Sequence, residues 1–300
     1  MGLGIDPTND YVFRLLYGDP ANSDLLIHLL NAILQLPSPI TDVEILNPFI
    51  EQEFDHDKLA VLDIKAKDSD GRLLNVEMQT SVTHALRERL VYYAACLFTS
   101  QLSEGDTYAG LCPTIGICIL SANMFPELST GHLQFVLSDL RHGIELTRHF
   151  QIHTVELPKY NAVPSLMNDC RPLEKLAYLF RHASELDGLT LRNLLPEAPF
   201  QKTIGILEMI SRTPAQRDIY EARQKAARDE AWKIQEARRE GQMTGREEGL
   251  RIGCIRQIRL LQQILNDRPS QDHELIGVAL SELDERIANL QARLTSRGRS

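Results

Sequence analysis

The sequence predicts an α/β or α+β domain of about 160 residues, followed by a region that is entirely helical. Two helical segments come first, then a change to strand periodicity over residues 59–79, then another helix and further strands. After Pro164 the apolar residues recur at helical spacing. This order predicts a mixed central sheet flanked by helices over residues 1–160, and an all-helical region over residues 161–300.

The helices of the first domain are predicted over residues 8–17, 22–35 and 83–102. In each of them apolar residues recur at a spacing of three or four. The first two segments also begin with a capping residue, and Pro37 ends the second.

Besides the pair within residues 59–79, strands are predicted over residues 43–49, 114–121, 132–138 and 149–157. Residues 114–121 form a nearly continuous apolar run, which is typical of a central strand that is buried on both faces.

The C-terminal region predicts helices over residues 173–187, 199–212, 214–265 and 281–294. In the longest segment glycine recurs every four residues, at Gly241, Gly245, Gly249 and Gly253. Each glycine costs a helix about 1 kcal/mol relative to alanine. Two interpretations stay open: a bare groove that another helix can approach closely, and a flexible tether with little helix.

The net charge of −9 is divided unevenly, with −11 on residues 1–160 and +2 on residues 161–300. An acidic first half is not the electrostatic pattern of a protein that wraps nucleic acid, unless some carboxylates surround a cation. No apolar run is long enough to span a membrane, and the N-terminus does not resemble a signal peptide. The five scattered cysteines lack metal-ligand spacing, so we expect free thiols and a cytoplasmic protein.

Residues 59–79 predict a β-hairpin that places acidic side chains opposite each other. A three-residue loop, Ser69-Asp70-Gly71, puts Gly71 where a left-handed backbone is favoured. Residue 68 then pairs with residue 72, and Asp63 falls opposite Glu77, on one face with Gln79. The same face would carry Val61, Lys65, Lys67 and Asn75, and the buried face would carry Leu62, Ile64, Ala66, Val76 and Met78.

Two directly opposed carboxylates repel each other, so this face needs a positive charge that offsets the repulsion. A divalent cation with hard oxygen ligands, such as Mg²⁺, would supply it. The alternative is a solvated face on which Lys65 and Lys67 pair with the acids, and this is the commoner arrangement for an arbitrary hairpin.

Several short motifs surround the hairpin in a definite order. They are Asn9-Asp10-x-x-Phe13-Arg14, Asn31-Ala-Ile-Leu34, Lys58-x-x-x-Leu62-Asp63-Ile64, Asn75-Val-Glu77-Met-Gln79, Arg89-x-x-x-Tyr93, Gln101-Leu102-x-x-Gly105-x-x-Tyr108, Pro113-x-Ile115-x-Ile117 and Glu156-Leu157-x-Lys159. This ordered set resembles the PD-(D/E)XK nuclease superfamily, and in particular its recombination-promoting nuclease, or transposase, family. The superfamily places Asp on one strand and Glu-x-Lys on the next, whereas this branch has Gln at the third position.

The resemblance implies a restriction-endonuclease-like core and a role for each matching residue. Asp63 and Glu77 would bind Mg²⁺ or Mn²⁺, with the carbonyl of Met78 as a further ligand. Gln79 occupies the position of the superfamily's lysine and can orient the attacking water but cannot take its proton. Asp10 could reach the site from the first helix, or it could simply complement the dipole of that helix.

Basic and aromatic residues of the same motifs would contact the substrate, namely Arg14, Lys58, Arg89 and Tyr93. Arg89 and Tyr93 lie one turn apart on a predicted helix. Both arginines could bind a phosphate or pair with a nearby acid, and Tyr93 could pack on the sheet.

The sequence and the resemblance together predict a metal-dependent DNA endonuclease linked to recombination or transposase-like activity, with C-terminal helices that assemble a homo-oligomer or choose the target. An alternative is a catalytically weak or inactive nuclease-fold module that binds or regulates, which the acidic first half and the missing lysine favour. A third is a structural oligomeriser driven by the glycine-spaced helix.

Overall fold

The structure, a computed structural model, describes residues 2–46 and 63–297. The chain divides into two compact units after Gln224. The boundary expected near residue 160 falls inside the first unit, because helices that follow this point share the core beneath the sheet. No described helix combines the length and the apolar character that a membrane span requires.

A mixed sheet forms the centre of the first unit. The strands of this sheet are β1 (Val43–Leu46), β2 (Ile64–Asp68), β3 (Leu73–Gln79), β4 (Thr114–Leu120), β5 (His132–Asp139) and β6 (Ile144–Glu156). In space the order is β1-β2-β3-β4-β6-β5. β1, β2 and β3 are antiparallel, β3, β4 and β6 are parallel, and β5 is antiparallel to β6. The predicted mixed central sheet is confirmed.

Every residue of β4 is buried, as its apolar run predicted. β6 starts at Ile144, earlier than the predicted residue 149, because its first residues pair with β5 ahead of Phe150, where the pairing with β4 begins. The turn that joins β5 to β6 contains Gly143, which has a positive φ of 66°.

Helices cover both faces of this sheet. The helices of the first unit are α1 (Asp10–Tyr17), α2 (Ser23–Leu34), α3 (Leu86–Thr99), α4 (Pro172–His182), α5 (Gly188–Leu194), α6 (Ala198–Arg212) and the start of α7 (Pro214–Leu265). Helices α1, α2, α4 and α6 share one core with the sheet, through buried residues that include Phe13, Leu26, Phe180 and Phe200. Helix α3 packs on the opposite face through Leu86, Leu90 and Ala94. Helix α5 is an element that the sequence pattern did not predict.

The second unit contains the rest of α7 together with α8 (Asp272–Leu275) and α9 (Leu280–Arg297). An apolar cluster joins these three helices, formed by Ile258, Leu261, Leu265, Leu275, Leu283, Ile287 and Leu290.

The four regularly spaced glycines all lie inside α7, so the flexible tether is the wrong interpretation. Apart from the adjoining residues and the nearby backbone of α7 itself, no described atom lies within 4 Å of a Cβ built at any of them. They therefore leave a bare stripe on an exposed helix surface.

Candidate active site

The β2–β3 hairpin has the register that the sequence predicted. Ile64 pairs with Val76 and Lys65 with Asn75, and Gly71 has a φ of 84°. The buried Asp68 carboxylate accepts hydrogen bonds from the backbone N–H groups of Asp70 (3.0 Å) and of Arg72 (2.9 Å), which closes the turn. The turn thereby sets the pairing of the two strands, which places Asp63, just before β2, beside the end of β3.

Asp63 directly precedes β2 and lies against the end of β3. Its Oδ2 accepts a hydrogen bond from the backbone N–H of Met78, at 3.1 Å. The N–H and C=O of one strand residue point towards the same neighbouring strand. The Met78 carbonyl therefore faces the same side of β3 as the Asp63 carboxylate, while the Met78 side chain is buried in the core on the other face.

The polar face of β3 is covered by α3 rather than solvated. Asn75 and Glu77 are only 3% and 2% exposed. Lys65 and Lys67 form no ion pair with Asp63 or Glu77 in the part of the chain that the structure describes. The solvated face with lysine–carboxylate pairs is therefore wrong, because residues 74–78 of β3 are buried between two helical layers.

Glu77 is a buried carboxylate that accepts a hydrogen bond from Asn75. The Asn75 Nδ2 donates to Glu77 Oε1 at 2.8 Å. Burial raises the pKa of Glu77 to about 7, the Asn75 hydrogen bond opposes this rise, and the Asp63 charge adds to it. Within the described ranges Glu77 has no ion-pair partner. A buried anion without a paired cation is costly, so this group favours the arrival of a positive charge.

Helix α3 adds two polar side chains to this face. The Arg89 Nη2 donates a 2.7 Å hydrogen bond to Gln79 Oε1. Burial raises the pKa of Tyr93, and the Glu77 and Asp63 charges raise it further, so the phenol lies within electrostatic range of both acids. The structure therefore brings Asp63, Glu77, Gln79, Arg89 and Tyr93 together.

Arg14 and Asp10 lie one turn apart on α1, and the structure gives them different partners. The Arg14 Nη2 lies 3.0 Å from Asp63 Oδ1, which joins α1 to the hairpin. The exposed Asp10 lies 3.7 Å from the Arg223 guanidinium instead of contacting either site carboxylate. Lys58 lies outside the described residues.

The donor groups of this site fit a hard divalent cation. Asp63 and Glu77 supply carboxylate oxygens, and the Met78 carbonyl faces the same side. No cluster of three or more His, Cys, Asp and Glu side chains is present among the described residues. Any further ligands would therefore come from the backbone, water or substrate, as is usual for Mg²⁺.

Asn75 is the site residue whose role the sequence reasoning missed. The alternation along the strand predicts the correct face for Asn75 but not its hydrogen bond to Glu77. The signal was available, because residues two apart on a strand share a face.

A family model described as PD-(D/E)XK nuclease family transposase matches residues 7–237 of the chain. Comparisons with curated proteins and with solved structures gave no match. The matched segment contains the hairpin, α1 and α3, and it ends inside α7, 13 residues past the end of the first unit.

Proposed function

Because the chain belongs to the PD-(D/E)XK nuclease family transposases, we propose that it is a divalent-metal-dependent DNA endonuclease that acts in recombination or transposase-like reactions. The observation that carries this proposal is the convergence of Asp63 and Glu77 at the end of one β-hairpin. Two carboxylates at the end of one β-hairpin, one of them buried without an ion pair among the described residues, are suited to holding a cation.

The residues that would hold Mg²⁺ or Mn²⁺ are Asp63 and Glu77, together with the Met78 carbonyl. When bound, such a cation supplies charge stabilisation for the phosphoryl group and lowers the pKa of a coordinated water. Asn75 fixes the orientation of the Glu77 carboxylate through its 2.8 Å hydrogen bond. The Met78 N–H fixes Asp63 in the same way.

Water would attack the phosphorus of a phosphodiester, forming one P–O bond while the bond to the leaving nucleotide oxygen breaks. The proton of the water would pass to solvent, and the leaving oxygen would take up a proton from solvent. Gln79 would orient this water or a phosphate oxygen through its amide, which cannot accept the proton at neutral pH. Arg14, Arg89 and Tyr93 would contact the phosphate backbone from the two helices beside the hairpin. Lys58 remains a predicted substrate contact, and Asp10 a predicted auxiliary acid.

Supercoiled plasmid cleavage tests this function. We expect the parent protein to nick or linearise the plasmid in Mg²⁺ or Mn²⁺ and to be inactive in EDTA. Asp63→Asn and Glu77→Gln should each lower the rate by roughly 100-fold or more. Glu104→Gln is the matched control, since Glu104 is an exposed loop carboxylate. Intact plasmid in both metals, or Asp63→Asn with the parent rate, would contradict the proposal.

A second candidate is an inactive nuclease-fold module that binds or regulates. Gln79 in place of lysine and the net charge of −11 on residues 1–160 favour it. Metal-dependent melting separates the two candidates, because an occupied cation site stabilises the folded state by mass action. The endonuclease predicts a Tm that rises with Mg²⁺, and the inactive module predicts a constant Tm.

Assembly through the C-terminal helices remains a prediction. The exposed glycine stripe of α7 would let a helix of a second copy approach closely. Light scattering of the full chain and of residues 1–224 tests this, since a monomer in both cases would contradict it.

A further inference from the structure

The orientation of the Gln79 amide is fixed by Arg89. The guanidinium of arginine has five N–H donors and no acceptor. Because its Nη2 lies 2.7 Å from Gln79 Oε1, the amide oxygen must face Arg89 and the amide NH₂ must point away from it. No hydrogen bond from Gln79 Nε2 to another described residue is present. Gln79 therefore presents an N–H donor that no described residue uses.

Arg89 brings a positive charge to the site. The side chain is half-buried on α3, and it forms no ion pair with a carboxylate of the described chain. Its buried Nε also has no hydrogen-bond partner there. Arg89 lies close enough to Glu77 for its charge to oppose the rise in the pKa of that carboxylate. The site thus contains a cation beside the end of β3.

We propose that Arg89 and Gln79 together replace the single lysine of the superfamily motif. A lysine at this position offers two properties, a positive charge and an N–H donor. Here Arg89 supplies the charge and orients the amide, and Gln79 Nε2 donates to a non-bridging phosphate oxygen or to the attacking water. Arg89 therefore positions Gln79 in addition to its proposed contact with the phosphate backbone, and neither group takes or releases a proton during hydrolysis. This inference rests on the proposed function and assigns how the same site handles its substrate.

The simpler explanation is that the Arg89–Gln79 hydrogen bond only ties α3 to the sheet. Under that explanation the identity of residue 79 matters only for packing. A lysine at position 79 could not restore a tie to an apolar residue at position 89, whereas it could restore both a charge and a donor. The two explanations therefore predict opposite results for one double variant.

Single-turnover cleavage of a short DNA duplex in Mg²⁺ provides the first test. We expect Arg89→Met to lower the rate roughly 100-fold, with Mg²⁺ dependence changed by less than about threefold. Arg89→Met combined with Gln79→Lys should recover to within about tenfold of the parent, and its rate should gain a pH dependence from the new lysine. Arg87→Met is the matched control, since the Arg87 guanidinium lies on the same helix, 4.7 Å from the centre of the Phe125 ring. A double variant that folds but is no faster than Arg89→Met would overturn the inference.

A second readout does not require cleavage. The side-chain NH₂ signals of Gln79 can be followed by NMR while the duplex is added in Ca²⁺. We expect these signals to shift in the parent protein and in Arg87→Met, but not in Arg89→Met. If these signals shift but the parent protein cuts no DNA in Mg²⁺ or Mn²⁺, the proposed endonuclease function is wrong. The joint role of Arg89 and Gln79 in contacting a phosphate is then still supported. Signals that do not respond to the duplex in the parent protein would overturn the paired role itself.

Discussion

Arg14 on α1 and Asp63 on the hairpin form an ion pair of 3.0 Å that joins a helix to the candidate metal site. The neighbouring Phe13 and Leu16 are fully buried, so packing of α1 against the sheet fixes where the arginine side chain begins. Both oxygens of Asp63 are engaged, one by Arg14 and the other by the Met78 N–H. A cation bound at Asp63 would share this carboxylate with Arg14 or displace it.

Replacing Arg14 with glutamine should strengthen metal binding. Removal of a positive charge next to Asp63 is expected to raise Mn²⁺ affinity by about two- to tenfold at low salt. The stability change should stay below about 1 kcal/mol, since the Arg14 side chain is half exposed. Isothermal titration with Mn²⁺ measures this, with Arg148→Gln as a control in which a remote exposed pair is lost. Weaker Mn²⁺ binding in Arg14→Gln would contradict the expected competition.

Replacing Glu77 with glutamine should stabilise the metal-free protein at pH 8. The pKa of Glu77 is raised from 4.5 to about 7 by burial, so the folded state disfavours the carboxylate. The free energy of unfolding of the parent therefore decreases as pH rises from 4.5 to about 7. Glutamine avoids this decrease, and its amide oxygen can still accept the hydrogen bond from Asn75. We expect a gain of about 1 to 3 kcal/mol in urea unfolding with EDTA. The variant should show no Mg²⁺-linked rise in Tm, and lower stability than the parent at pH 8 in EDTA would contradict this.

Replacing Asn75 with alanine should weaken metal binding near neutral pH. The Asn75 hydrogen bond holds the pKa of Glu77 down, so its loss leaves a larger fraction of Glu77 protonated at pH 7. Mn²⁺ titrations at pH 7 and pH 9 test this effect. The variant should bind Mn²⁺ about threefold or more weakly than the parent at pH 7, and the difference should be smaller at pH 9, where Glu77 is ionised in both proteins. An equal loss of Mn²⁺ affinity at the two pH values would assign Asn75 a purely packing role.

Acid destabilisation should decrease when His153 is replaced by glutamine. His153 is buried, and its Nδ1 lies 2.9 Å from Nε2 of His132. Burial and His132 lower the pKa of His153 to about 4, so the unfolded state takes up this proton first as pH falls below 6.5. Stability contributed by the neutral ring is present above pH 6.5 and is lost towards pH 4.

Urea unfolding at pH 7 and pH 4.5 checks the histidine prediction. The parent protein should lose about 1 to 3 kcal/mol more than His153→Gln over this interval. Glu77 changes the free energy of unfolding in the opposite direction over an overlapping pH range. The test therefore compares the loss in the parent with the loss in His153→Gln, and not the two pH values within one protein. Equal losses would contradict the assigned pKa.

The hairpin could be predicted from the sequence because two local rules agree there. The glycine of the loop fixes the turn, and the alternation of polar and apolar residues fixes the register. Ile64 and Val76 are accordingly paired and buried. What could not be predicted was the environment of the polar face. Alternation normally indicates solvent on one side, whereas α3 covers Asn75 and Glu77, and such long-range packing has no local signature.

Local sequence patterns also do not show how far the first unit extends along the chain. Helices α4 and α6 have ordinary amphipathic patterns, and nothing in them indicates which core they join. Phe180 and Phe200 pack in the same core as Phe13, so the sheet domain continues past residue 160. Likewise, the pairing of Asp10 with Arg223 depends on a helix that begins some 200 residues later in the sequence.

Anomalous scattering from crystals soaked in Mn²⁺ tests the central claim most directly. We predict a peak between Asp63 and Glu77, with a carboxylate oxygen of each at roughly 2 Å, and no such peak in Asp63→Asn crystals. A soak at a Mn²⁺ concentration that raises the Tm, but that leaves this position without a peak, would contradict the assignment of the hairpin as the metal site.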